Sequence, residues 1–177
     1  MLTEDELAAE ALRDDWTIRP MLVRDWDEDT EGEGGGYSRR LVPVTTPERA
    51  EMAEQFARHF HDEAGFDGLQ FRAGMESESN RHVYLLNSRA ILRAVPVAVG
   101  AVEVKVARDG SPVLTWVWLH PFERSSTWKV WERVWRELSE LHGDLYIQAP
   151  LRPAMEAFRR RIGVPDERIV QLVPGGG

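Results

Sequence analysis

The chain has 177 residues, of which 42% are apolar and 29% charged, the balance of one soluble globular domain long enough to bury a core. No apolar run approaches twenty residues, so no membrane is expected as a partner, and zero cysteines exclude disulfides and thiolate metal sites. The net charge of −8 is uneven, with twelve acids against three bases in residues 1–33, which disfavours nucleic acid as a partner and favours either a cationic substrate or a solvated acidic leader.

The N-terminus lacks the apolar segment of a secretory signal, so a cytoplasmic location is expected. Thr3 and Glu6 stand in capping-box spacing and predict a short helix over about 4–14. "WTIRPMLV" has strand character that Pro20 opposes. "EDTEGEGGG" (28–36) reads as a loop. Tyr37 falls where G-x-G-x-x-G needs its last glycine, and no strand and helix flank the run, so a dinucleotide site is excluded. Residues 1–36 are thus expected to form an acidic arm, and 37–177 the domain.

Thr46 followed by Pro47 predicts a helix start, and Ala53, Phe56, Ala57 and Phe60 keep helical spacing. "HVYLL" (82–86) predicts a strand. In "AVPVAVGAVEVKV" the valines fall on odd positions up to Val99 and on even positions from Val102. That change of phase predicts a bulge or bend at Gly100–Ala101. Asp109-Gly110 predicts a hairpin turn. "VLTWVWLH" is apolar on both faces, as a central strand is. From Thr127 the period becomes helical, with Trp128, Trp131, Val134, Trp135, Leu138 and Leu141 on one face and Gly143 as the stop. "DLYIQA", "RPAMEAFRRRIG" and "RIVQLV" predict strand, helix and strand. Hairpins mixed with strand–helix–strand units predict a mixed sheet with helices packed on it.

Three features carry a family resemblance. "LHP" (119–121) ends a strand and is followed by "FER" and then directly by a helix. The hairpin "VGAVEVKVARDGSPVLTWVWLHP" precedes that corner. "DLYIQAP…AMEAFRRRIGV" follows the helix. From His82 to Val173, about half the chain, the sequence resembles the GNAT superfamily of acyl-CoA-dependent N-acyltransferases, where V-x-P, x-x-[RQ]-x-x-G-x-[GA] and N-x-x-A-x-x-F-Y-x-x-x-G-F stand in these places. The resemblance implies an α/β (α+β) fold, a mixed, mostly antiparallel twisted sheet of about six or seven strands with helices on both faces. It also implies acetyl-CoA or another acyl-CoA as co-substrate, no metal, and a small-molecule or peptide amine as acceptor. Carried over by position, the coenzyme would meet Trp118, Leu119, Arg124, Ser125, Ser126, Thr127, Trp128 and Lys129. The physical basis is a helix start whose unpaired N–H groups and dipole suit a diphosphate, with Arg124 adding a charge-assisted contact. The strand ending at Leu119 is expected to splay from "DLYIQA", leaving main chain for the coenzyme's amide-bearing arm.

Several positions depart from the family pattern. Thr127 and Lys129 replace its two glycines, and Ser125, Ser126 and Thr127 offer hydroxyls in place of bare backbone. Arg152 stands for its Asn, and Arg159 for the Tyr that commonly protonates the departing thiolate. An Arg cannot donate that proton, although it can stabilise a thiolate. Transfer to an amine also needs a base, and Glu103, His120 and Tyr146 are the candidates, each with an ordinary sheet or surface role as its alternative. The departures define a second functional expectation: a catalytically inactive GNAT-fold binding protein using a tryptophan-rich surface. Of the seven tryptophans, Trp128, Trp131 and Trp135 at helical spacing are expected in the core, as are Trp116 and Trp118 on one strand face. The surplus is expected to line an acceptor pocket or a homodimer face. "HFHDE" (59–63) suggests metal ligands, but His59 and His61 lie on different faces of a helix, so helix-end polarity is the expected role. The run Arg159–Arg161 is expected at a solvated helix end.

Overall fold

A computed structural model describes residues 21–22, 41–88, 97–121, 124 and 127–172. The expected helix over 4–14, the loop at 28–36, Val95, Ser125, Ser126 and the last residues from Val173 lie outside the described residues. The strands are β1 (Met21–Leu22), β2 (Leu41–Pro43), β3 (Arg81–Ser88), β4 (Val97–Val106), β5 (Pro112–Leu119), β6 (Tyr146–Gln148) and β7 (Ile169–Val170), and the helices are α1 (Pro47–Ala64), α2 (Thr127–His142) and α3 (Pro153–Ile162).

The seven strands form one sheet in the order β2-β3-β4-β5-β6-β7, with β1 paired to the start of β4. Pairing is antiparallel from β2 through β5 and at β1–β4, and parallel at β5–β6 and β6–β7. This is the mixed, mostly antiparallel sheet that the sequence predicts. The hairpin β4–β5 turns at Gly110 with φ 86°.

Helices cover both faces. Phe56, Ala57 and Phe60 of α1 pack on Val42, Val83, Leu85, Ala101, Trp116 and Trp118. Val130, Val134 and Leu138 of α2 pack on the opposite face against Val97, Val99, Val102, Val104, Leu114 and Leu119. The α3 residue Phe158 joins that second layer, its ring 6.1 Å from those of Trp131 and Trp135. Helix α1 begins as expected, with the Thr46 hydroxyl accepting from Arg49 N at 3.3 Å and Pro47 at its first position. Leu141, expected on the inner face of α2, is instead 47% exposed. The closing strand is two residues long rather than six.

The valine phase change in β4 is a bulge. Leu86 pairs with Gly100 and Asn87 with Ala98, so Val99 is the extra residue. It places Val97, Val99, Val102 and Val104 all in the α2 layer. A second bulge, not expected from the sequence, lies in β5. Glu103 pairs with Trp116 and Val104 with Leu114, which leaves Thr115 as the extra residue. Leu114 therefore faces α2, while Trp116 and Trp118 face α1.

Candidate active site

The site begins where β5 and β6 part. Only Val113↔Tyr146 and Leu114↔Ile147 pair the two strands, so Thr115–Leu119 have no strand partner on that side among the described residues. β6 instead continues onto β7, and Ala149 N donates to Val170 O at 2.8 Å. A cavity of about 760 Å³ fills the gap. Phe60, Phe66, Trp116 and Trp118 line it from the α1 layer, and Val117, Trp131 and Met155 from the α2 layer. A single cavity with walls from both layers of one sheet requires the strands to separate, since paired strands would close it.

Glu103 lines this cavity from β4 and is fully buried. Its Oε1 accepts from Arg81 Nη1, its Oε2 accepts from the bulged Thr115 Oγ1, and Lys105 Nζ lies 4.0 Å away. Arg81, itself buried, also donates to Gln70 O at 3.2 Å and to Glu78 Oε2 at 3.0 Å. A buried carboxylate is tolerated only with such partners. The Thr115 bulge turns a hydroxyl toward Glu103 that a regular strand would have aimed elsewhere.

One wall of the cavity is organised around the buried Trp118. Phe56 and His59 of α1 stack on its ring at 5.4 and 5.0 Å, the Arg124 guanidinium lies 5.4 Å from its centroid, and its indole N–H donates to Glu63 Oε1 at 3.0 Å. Glu63 also accepts two hydrogen bonds from Arg124 Nη2, at 2.9 and 3.0 Å. Arg152 donates to the Glu63 carbonyl at 3.3 Å and stands 4.0 Å from its carboxylate. One carboxylate at the end of α1 thus bridges the turn after β5 and the segment before α3, the two sides of the parted strands. Burial pushes the Glu63 pKa up, but the hydrogen bonds from Arg124 and Trp118 and the charges of Arg124 and Arg152 outweigh it and hold the carboxyl below the ordinary range.

The expected coenzyme contacts are distributed as follows. Trp118, Leu119 and Arg124 line the cavity, and Arg124 Nε donates to Leu119 O at 2.7 Å. Thr127 and Trp128 open α2, and Lys129 is exposed on its first turn. Of the three candidate bases, Glu103 lines the cavity, while His120 and Tyr146 do not. His120 is buried just past β5, its N–H bonded to Val99 O at 2.7 Å and its ring edge-on to Trp118. Tyr146 lines a separate hollow beside the β4–β5 turn, because it pairs with Val113 at the far end of β5. Arg159 also faces away from the cavity, donating to Glu156 at 2.7 and 2.8 Å and pairing with Asp166 at 2.6 Å. Among the described residues no group of His, Asp and Glu could hold a metal ion.

Sequence reasoning missed Glu63 and His59 as site residues. Their signal was present in "HFHDE", since Phe56, His59 and Glu63 recur at helical spacing and share one face. That face meets Trp118, not a metal.

No family model and no curated protein matches the chain. Among solved structures, the chain is similar to the aminoglycoside 6′-N-acetyltransferase AAC(6′)-Ih from Acinetobacter baumannii, at 13% identity and TM-score 0.45 over 77% of this chain and 98% of that one. It is similar to the aminoglycoside acetyltransferase meta-AAC0020 from an uncultured soil metagenomic sample, at 12% and 0.48 over 77% and 96%. The integron cassette protein VCH_CASS6 from V. cholerae aligns at 14% and 0.44 over 80% and 95%.

Proposed function

We propose that the protein is a GNAT-type N-acyltransferase that moves an acetyl or similar acyl group from acyl-CoA to an amine. The observation that carries this reading is the cavity at the parting of β5 and β6. It offers, at Thr115–Leu119, strand edge without a strand partner among the described residues, together with apolar walls, which suits an extended arm bearing amide groups. Val117, Trp131 and Met155 would cover that arm and exclude water. Arg124 and the start of α2 would hold the diphosphate, with Arg124 keeping its Nε and Nη2 bonds to Leu119 and Glu63 and turning Nη1 to phosphate oxygens.

Bound acyl-CoA supplies an activated thioester. On the α1 side of the cavity, the amine nitrogen forms an amide bond to the acyl carbon as the carbon–sulfur bond breaks, and the thiolate leaves. Glu103 is assigned the proton shed by the nitrogen, since of the three candidates it alone borders the cavity. Arg159 has no part, being committed to Glu156 and Asp166.

Isothermal titration with acetyl-CoA tests the first half of the proposal and should show saturable heat. No heat at millimolar coenzyme would remove it. An acceptor screen read by free CoA then tests chemistry. Binding without release for any amine would favour the catalytically inactive alternative.

A further inference from the structure

The α1 half of the cavity has its own chemistry. Its wall is aromatic: Phe60 and Phe66 lie 5.6 Å apart between ring centroids, and Phe60 and Trp116 lie 5.9 Å apart. Both carboxylates that border the cavity are already neutralised, Glu63 by Arg124 and Arg152, and Glu103 by Arg81 with Lys105 nearby. Lys105, Arg124 and Arg152 themselves border it. The described lining therefore holds three cations against two paired anions, and a polycation entering it would meet no uncompensated negative charge. Partners for hydroxyl groups are few as well. The Thr115 hydroxyl is taken by Glu103, and among the fully buried side-chain atoms of the described residues Trp116 Nε1 and Gln70 Oε1 are without a hydrogen-bond partner.

We infer that the acceptor is a monoamine carrying an apolar body of about ring size, packed against Phe60, Phe66 and Trp116, and not a polyamine or an amino sugar. The apolar body follows from the wall, and the reacting amine rests on the transferase reading above. An apolar wall rewards each added methylene through burial, by roughly fourfold in affinity, whereas each further ammonium of a polycation must be desolvated with no unpaired anion to receive it.

The test uses the full chain in two arms. In the first, free CoA is measured with saturating acetyl-CoA and butylamine, hexylamine, 4-phenylbutylamine, spermidine or glucosamine. The expected result is a rise in kcat/KM of roughly threefold to fourfold per methylene from butylamine to hexylamine, with 4-phenylbutylamine at least about tenfold above spermidine and glucosamine. Equal or higher rates with spermidine or glucosamine would overturn the inference. In the second arm, the same amines are titrated without coenzyme against tryptophan fluorescence, where 4-phenylbutylamine should bind tightest and the reverse order would again overturn it. If no amine releases CoA, the transferase reading fails and the fluorescence order alone decides the pocket's ligand class. Phe66→Asp, at a half-buried position, should weaken 4-phenylbutylamine and strengthen spermidine in protein whose circular dichroism is unchanged. The homologous series on the unaltered chain stands without that variant.

Discussion

Glu63 and Glu103 are both ion-paired carboxylates at the cavity, yet their environments give them different consequences. Glu63 is about one-third exposed, so its ion pair with Arg124 is screened by solvent. Its larger contribution is as acceptor for the indole N–H of the buried Trp118. Glu63→Ala leaves that donor without a partner and should cost about 1–3 kcal/mol in chemical denaturation. Because its folded-state pKa is depressed, the charged Glu63 stabilises fully above the unfolded carboxyl value, near pH 4, and that share is lost as pH falls through the lower folded value. Glu63→Gln should therefore flatten the acid limb of stability below about pH 4; an unchanged limb would show that the pair contributes nothing. Glu103 and Arg81 are buried together. Glu103→Ala removes one of the two carboxylates paired with the buried Arg81 guanidinium, leaving Glu78, and should cost about 1–3 kcal/mol. Replacing both residues with Met should recover most of that loss, as read by the urea midpoint.

The interface of β4 with β5 depends on one position without a side chain. A Cβ at Gly100 would stand 2.2 Å from Trp118 O and 3.2 Å from Leu119 Cα, and both of these are backbone of β5. Backbone in a central strand cannot retreat as a side-chain tip can, so Gly100→Ala should cost at least about 1–3 kcal/mol and displace the strand that carries the site. A thermal melt matching the parent would show that the strands do not approach this closely. Between β3 and α2, the Tyr84 hydroxyl and His142 Nε2 are hydrogen-bonded at 2.8 Å, and the His82 ring lies tilted 5.0 Å from the same ring. Burial lowers the His142 pKa and the neighbouring His82 lowers it further, while burial raises that of Tyr84. Folding thus favours the neutral form of His142. Its contribution is complete above the unfolded value near pH 6.5 and declines as pH falls toward the lower folded value. Denaturant midpoints measured from pH 7.5 to 5 should drop, and His142→Gln should reduce that slope.

For the molecule as a whole, the decisive property is a sheet that closes on one side of β5 and opens on the other. If acetyl-CoA enters that opening, it binds the folded chain alone and must raise stability by mass action, by about 2.7 kcal/mol at a hundredfold excess over Kd. A melting temperature independent of coenzyme would contradict occupancy of the cavity.

What the sequence determined by itself was local. Thr46–Pro47 start α1, the valine phase change sets the first bulge, and the tryptophan spacing defines α2, because caps and periodicity act over a few residues. The "LHP" corner, with the hairpin before it, also marked the strand that borders the site. Tertiary structure alone decided which residues meet there. Glu63 reaches Arg124 across 61 positions of chain and Arg152 across 89, and Tyr146 is carried to the far end of β5 by its register with Val113. Neither outcome is encoded near the residues concerned. Both follow from where strand pairing stops, and a single residue of register or bulge changes which side chains share a wall.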